Sequence, residues 1–125
     1  MRYLCLIHLN EQEIADMPAA DVNALNAAHL DFNDALRGEG RFLLAEALEP
    51  ARSAACVRLR GGKRHVTDGP FAEAKEVVAG FYAIEARDMD EAIEIASRIP
   101  TASIGTVEVR PARQLTVEGR ARRWG

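Results

Sequence analysis

The sequence predicts an α+β fold, and three patterns along its 125 residues support that prediction. Apolar runs of strand length occur near the start and in the middle of the chain, and an alternating run occurs near its end. Two other segments repeat apolar residues at steps of three and four, which is typical of amphipathic helices. A Gly61–Gly62 pair joins two alternating runs, as in a β-hairpin with a tight turn. Hydrophobic residues make up 48% and charged residues 28%, so a single globular domain is expected.

The first half of the chain predicts a strand, a helix and a second strand. Residues 3–9 are apolar on both alternating faces except at His8, which indicates a central strand covered on two sides. One face of the following helix carries Val22, Leu25, His29, Phe32 and Leu36. Gly38 and Gly40 are expected to end this helix before a strand over residues 42–48.

The middle of the chain predicts a hairpin and another central strand. Residues 55–60 and 63–67 are the two arms of the hairpin, and a turn over residues 68–71 follows them. Residues 77–84 form a second nearly continuous apolar run, which again indicates a strand covered on both faces.

A second helix and a last strand complete the predicted domain. Asp88 and Glu91 have capping-box spacing at the start of the helix, and Pro100 ends it. Its apolar face carries Met89, Ala92, Ile93, Ala96 and Ile99. Residues 106–110 form the last strand. The resulting order is a ferredoxin-like split βαβ arrangement with an inserted β-hairpin.

The predicted assembly is a homodimer. Two helices cover only one face of an open sheet, yet residues 3–9 and 77–84 look apolar on both faces. A second copy, packed sheet against sheet, would cover the remaining face.

Charge and hydropathy argue against nucleic-acid and membrane partners. The net charge is −3, made up of +3 for residues 111–125 and −6 for residues 1–110. The prediction is a domain over residues 1–111 and a solvated basic tail over residues 112–125, because the tail lacks the aromatic interleaving of a nucleic-acid arm. No apolar run has the length of a spanning helix and no signal segment precedes the first strand, so a cytoplasmic protein is expected.

The sequence predicts no metal and no cofactor. Its three histidines share no ligand motif, and Cys5 and Cys56 have no CxxC spacing and are expected to be small core residues. No phosphate-binding glycine loop or dinucleotide fingerprint is present.

His29 and Asp68 are the candidate catalytic residues. His29 should face the sheet, where a neighbouring carboxylate would raise its pKa and suit it to acid–base catalysis. Asp68 could orient His29 or abstract a proton itself. The alternatives are a buried histidine with satisfied hydrogen bonds and an Asx-turn residue before Gly69 and Pro70.

His8, Phe71 and Tyr82 are the candidate substrate-binding residues. His8 ends a strand, where pockets are frequent, and the two aromatic rings would line such a pocket. Aromatic residues in strands also serve as core, so this alternative stays open. His65 is predicted to be solvated in the hairpin.

The chain resembles the DGPF branch of the YCII-related family over residues 1–111. The resemblance lies in Val66-Thr67-Asp68-Gly69-Pro70-Phe71-Ala72-Glu73-Ala74-Lys75-Glu76, in Gly80-Phe81-Tyr82, in Asp90-Glu91-Ala92 and in Val107-Glu108-Val109-Arg110-Pro111. His29-Leu30 and the Glu39–Leu43 stretch are similar to the wider family. The resemblance implies a dimeric α+β barrel built from ferredoxin-like halves, but no settled reaction. DGPF members often accompany extracytoplasmic-function sigma factors in gene neighbourhoods, which implies a regulatory link.

One position departs from the family pattern. The resemblance implies two residues that act as a dyad. One is a histidine on a helix, and the other is a carboxylate directly before a proline in the segment that follows the second helix. His29 matches the histidine, but Ile99 precedes Pro100 and cannot ionise. The dyad implied by the resemblance is therefore incomplete in this chain.

Two functional hypotheses remain, and the residues leave open whether the chain is an enzyme. The first is a small-molecule-binding pocket, with or without cofactor-free proton transfer of the isomerase or lyase kind. The second is a non-catalytic regulatory or interaction protein, with a sigma factor as the partner that the resemblance implies. In that case the hairpin and the basic tail should be exposed.

Overall fold

The computed structural model describes residues 1–122. The strands of this part are β1 (Arg2–Leu9), β2 (Phe42–Ala47), β3 (Ala55–Arg60), β4 (Lys63–Asp68), β5 (Val77–Glu85), β6 (Thr106–Pro111), β7 (Leu115–Val117) and β8 (Arg120–Arg122). The helices are α1 (Glu11–Ala15), α2 (Ala19–Gly38) and α3 (Met89–Ser97), and short 3₁₀ turns cover Ala51–Ser53 and Pro100–Ser103.

Four strands form one antiparallel sheet in the order β2-β5-β1-β6. β1 is central, since Cys5 lies opposite Tyr82 of β5 on one side and opposite Val109 of β6 on the other. α2 connects β1 to β2, and α3 connects β5 to β6. This arrangement confirms the predicted α+β, ferredoxin-like fold.

The two faces of this sheet differ in burial. The inner face packs against α2 and α3 around a core of Tyr3, Cys5, Ile7, Leu9, Leu36, Tyr82, Ile84, Ala86, Ala92, Ile95, Ala96 and Ile99. On the outer face, Leu4, Leu6 and Phe81 are only partly buried. Within residues 1–122 one chain therefore covers only the inner face of β1 and β5 fully, as expected for two helices on one side of a sheet. The second copy that would cover the outer face stays a prediction.

The ends of the two long helices follow the sequence signals. α2 begins after Pro18 and ends at Gly38, and Gly40 adopts a φ of +72° that favours glycine. The Asp88 carboxylate accepts the backbone N–H of Glu91 at 2.9 Å, which confirms the predicted cap of α3. None of the helices within residues 1–122 combines the length and the hydrophobicity needed to cross a membrane.

β3 and β4 form a hairpin that is separate from the four-stranded sheet. Gly61 and Gly62 at its turn have φ values of +56° and +75°, the two positive values of a type I′ turn. Val57 and Leu59 are each 65% exposed, and Val66, opposite Val57, is 55% exposed. One side of the hairpin is thus an uncovered apolar surface in the described chain.

A short helix and a short hairpin have no counterpart in the sequence prediction. α1 spans only Glu11–Ala15, too few residues to show a helical period, and Asn10 caps it by accepting the Glu13 N–H at 3.1 Å. β7 and β8 form a small hairpin inside the predicted basic tail, with Gly119 at a φ of +73° in its turn. Residues 123–125 of that tail lie outside the described residues.

Candidate functional site

His29 and Tyr82 meet between α2 and the sheet. Nδ1 of His29 lies 2.9 Å from the Tyr82 hydroxyl, and the two rings stack with centroids 6.1 Å apart. α2 presents His29 from the apolar stripe that also carries Leu36, while β5 presents Tyr82 on its inner face. The structure therefore joins one predicted catalytic residue to one predicted substrate-binding residue.

Asn33 completes this cluster and was missed by the sequence reasoning. The Tyr82 hydroxyl donates to Oδ1 of Asn33 at 2.6 Å. His29 and Asn33 are four residues apart on α2, so their side chains lie on the same helix face. That spacing was the available signal, but an asparagine on a helix is too common a feature to indicate a site.

The direction of these hydrogen bonds defines the tautomer of His29. Because the Tyr82 proton goes to Asn33, the Tyr82 oxygen is left to accept a proton from Nδ1 of His29. Nε2 then carries the free lone pair of the neutral ring and has no hydrogen-bond partner among residues 1–122. In that part of the chain only Thr101 Oγ1 is a fully buried, unpartnered side-chain N or O atom, so Nε2 is not fully enclosed.

Burial keeps both rings of the cluster neutral. Desolvation lowers the pKa of His29 below its ordinary value and raises the pKa of Tyr82 to about 12. Phe32 and Phe42 pack their edges against the Tyr82 ring, at centroid distances of 5.6 Å and 6.5 Å. At neutral pH the cluster thus combines a neutral imidazole base with a fixed neutral phenol.

Asp68 lies elsewhere, at the exposed end of β4. Its carboxylate makes no hydrogen bond or ion pair within residues 1–122, so neither the Asx-turn nor a contact with His29 is present there. The turn is held instead by the backbone, where Gly69 N–H donates to the Ala54 carbonyl at 2.7 Å and Gly69 has a φ of +94°. The partnership of Asp68 with His29 stays a prediction.

His8 and Phe71 are also separate from the His29 cluster. His8 lies on β1 in the alternation of Leu4 and Leu6, away from the inner face, and its Nε2 is 3.0 Å from Oε1 of Glu108. Phe71 is 81% exposed, and the Arg58 guanidinium lies over its ring at 5.9 Å from the centroid. The five predicted site residues therefore occupy different places in one chain, and only His29 and Tyr82 share a contact.

Two cavities lie outside this cluster. One, of about 540 Å³, is lined by the charged residues Glu39, Arg41, Glu91, Glu94 and Arg98. These residues pair with one another, as in the contacts of Arg41 with Glu91 and of Arg98 with Glu39 at 3.2 Å, so the cavity is part of an ion-pair network. The other, of about 1060 Å³, lies on the outer face of the sheet.

The cysteines and the acidic residues form no metal centre in the described chain. Cys5 is buried, and burial raises the pKa of its thiol to about 11. Cys56 is partly buried and unpaired, with its sulfur 3.5 Å from the Gly69 carbonyl oxygen. Within residues 1–122 there is no cluster of three His, Cys, Asp or Glu side chains that could hold a metal ion.

Comparison with known proteins places the chain in a family. The model of the YCII-related domain matches residues 1–116. An uncharacterised protein of Rhizobium meliloti (strain 1021) is 46% identical over 66 residues, which are 51% of this chain and 53% of that protein. The alignment thus spans about half the length of the curated relative. Because the family model covers nearly the whole sequence, the chain belongs to the family of YCII-related domain proteins.

Proposed function

We propose that the chain binds a small molecule beside α2 and catalyses a proton transfer in that ligand. The reaction is of the isomerase or lyase type and uses no cofactor. The observation that carries this proposal is the hydrogen-bond chain from His29 through Tyr82 to Asn33. It fixes the imidazole in one tautomer and leaves Nε2 as a proton acceptor without a partner in residues 1–122.

The chemistry follows from the neutral state of His29. Its lowered pKa favours the neutral, basic form of the ring at neutral pH, in which Nε2 can accept a proton. The C–H or O–H bond of the ligand breaks and the proton moves to Nε2. In an isomerisation the imidazolium returns the proton to another atom of the same ligand. In an elimination the electron pair expels a leaving group, which takes the proton from the imidazolium. During that step Nδ1–H stays bonded to Tyr82, which keeps the ring oriented.

Asp68 and His8 enter the proposal as further polar groups. Asp68 is an exposed carboxylate without a partner in the described chain, so it is available to exchange a proton or to pair with His29 after a rearrangement or in an assembly. His8 and Phe71 are proposed to contact ligand only if a second copy or a closing segment brings them to the site.

A homodimer in the cytoplasm is the proposed form of the protein. The support for the dimer is the open half of the outer sheet face along β2 and β5, where Leu44 is 49% exposed and Phe81 and Ala83 are partly buried. Leu44 lies opposite Ala83 in the register, so the three side chains belong to one apolar strip.

A second candidate function is that of a non-catalytic interaction protein, with a sigma factor as one partner. The β3–β4 hairpin favours it, because Val57, Leu59 and Val66 are exposed on one side of an arm that stands apart from the sheet. A non-catalytic interaction protein requires no reaction at His29.

Exchange of carbon-bound hydrogen tests the first proposal against the second. Small carbonyl compounds that raise the melting temperature would be incubated in D₂O with the protein, and deuterium uptake would be followed by NMR. We expect uptake with the natural chain, its loss in His29→Gln, and no change in His65→Gln, which removes an exposed hairpin histidine. Equal uptake by natural chain and His29→Gln would exclude catalysis by His29.

A further inference from the structure

A groove crosses the half of the outer sheet face that is formed by β1 and β6. Its volume is about 1060 Å³. Leu4 and Leu6 of β1 line it from the sheet, and Gln114, Leu115 and Arg122 line it from the C-terminal hairpin. Part of the predicted solvated tail, residues 112–125, therefore forms a concave site together with the sheet.

The rim of this groove carries excess positive charge. Arg2, Arg110, Arg113 and Arg122 line it, against a single acidic residue, Glu85. Glu85 is already paired with the N-terminal ammonium at 2.8 Å. The charge of Glu85 is thus compensated without any of the arginines.

Two of the four arginines have no counter-ion in the described chain. Arg113 and Arg122 make no ion pair or hydrogen bond within residues 1–122, whereas Arg110 contacts Glu108 at 3.4 Å. Two guanidinium groups beside an apolar floor match a ligand with a negative head and an apolar body. A planar carboxylate fits such a head, because it accepts two parallel N–H bonds from one guanidinium.

We propose that the groove binds an amphipathic organic carboxylate, with its head on Arg113 and Arg122 and its body on Leu4 and Leu6. This site is independent of the His29 cluster, since Leu4 and Leu6 alternate with the inner-face residues Tyr3, Cys5 and Ile7 along β1. It also leaves the apolar strip of Leu44, Phe81 and Ala83, on the β2–β5 half of the same face, for a second copy.

Calorimetric titration of the full chain with octanoate tests the proposal. Octanamide has the same apolar body without the charge, and acetate has the charge without the body. We expect octanoate to bind with one site per chain, and octanamide and acetate to bind at least about tenfold more weakly. The binding should weaken as salt is added, because the arginines are exposed to screening.

Matched variants localise the binding. The double variant Arg113→Gln with Arg122→Gln should weaken octanoate binding about tenfold or more, whereas Arg64→Gln, an exposed arginine of the β3–β4 hairpin, should leave it unchanged. In NMR spectra, octanoate should shift the methyl signals of Leu4, Leu6 and Leu115 and leave that of Leu36, in the core, in place.

Four outcomes would overturn the proposal. Octanoate would fail to bind, or octanamide would bind equally well, or acetate would bind as tightly as octanoate. In the fourth outcome, neither the natural chain nor the double arginine variant would bind octanoate, and the natural chain would be a dimer where the variant is a monomer. That result would show that a second copy occupies the groove.

Discussion

Nδ1 of His29 lies 2.9 Å from the hydroxyl of Tyr82, so a hydrogen bond connects the long helix α2 to the central strand β5. The contact joins two positions that are 53 residues apart in the chain. It orients the imidazole of His29, and the first prediction concerns this contact.

Removal of the Tyr82 hydroxyl should destabilise the protein and release the His29 ring. Tyr82→Phe keeps the packing with Phe32 and Phe42 but leaves Nδ1–H of His29 and Oδ1 of Asn33 without their partner. We expect a loss of about 1–3 kcal/mol in the free energy of unfolding, measured with urea. NMR of the ¹⁵N-labelled imidazole should show a mixture of tautomers.

Tyr3→Phe is the matched control for that variant. Tyr3 is buried like Tyr82, but within residues 1–122 the hydrogen-bond partner of its hydroxyl is the Met1 sulfur, at 3.9 Å. Sulfur is a weak acceptor, so the cost should stay below about 0.5 kcal/mol. Equal losses for the two variants would mean that the hydroxyl of Tyr82 contributes nothing specific.

Protonation of His29 should make the protein less stable in acid. Burial lowers the pKa of His29 in the folded state, so the unfolded chain binds the proton first as the pH falls. The stability from the neutral ring is complete above the ordinary pKa near 6.5 and is lost as the pH falls through the folded value. Urea unfolding at a series of pH values should show this loss in the natural chain and a smaller one in His29→Gln.

Asp68→Asn should separate the two interpretations of that carboxylate. Asp68 is exposed and unpartnered in the described chain, so stability should change by less than about 0.5 kcal/mol. If Asp68 pairs with His29 in the assembled protein, loss of the negative charge lowers the His29 pKa, and we expect that decrease in an NMR titration. An unchanged His29 pKa would rule out the pair.

Gly80→Ala should be strongly unfavourable. A Cβ at Gly80 would lie 2.8 Å from the backbone carbonyl oxygen of Glu46, because β2 and β5 approach closely there. Since backbone has to move, the expected cost is about 1–3 kcal/mol. Gly38→Ala is the control: nothing lies within 4 Å of that position at the end of α2, so the change should be neutral or stabilising.

Sedimentation should report about twice the chain mass of 13.7 kDa. The apolar strip of Leu44, Phe81 and Ala83 is the proposed contact, so Leu44→Glu should shift the protein toward the monomer. Ile93→Glu, on an exposed apolar position of α3, should leave the mass unchanged. A monomeric natural chain at micromolar concentration would contradict the proposed assembly.

The elements of the fold were predictable from the sequence because their signals are local. The stripe of α2, the Asp88 cap and the Gly61–Gly62 turn each depend on residues within a few positions of one another. The continuous apolar sequence of β1 and β5 also predicted that these two strands lie at the centre of the sheet.

The site depended on contacts that only the tertiary structure decides. His29 and Tyr82 were both candidates, but nothing in the spacing of 53 residues indicates that their side chains meet, and Asn33 carried no distinguishing pattern. The groove at Arg113 and Arg122 likewise forms only when a short C-terminal hairpin and β1 flank the same cavity. The sequence by itself determined which segments are helices and central strands, through local periodicity and turn chemistry. Long-range packing decided which polar groups share a proton and which arginines have no counter-ion within residues 1–122. Those interactions depend on distances that no local pattern encodes.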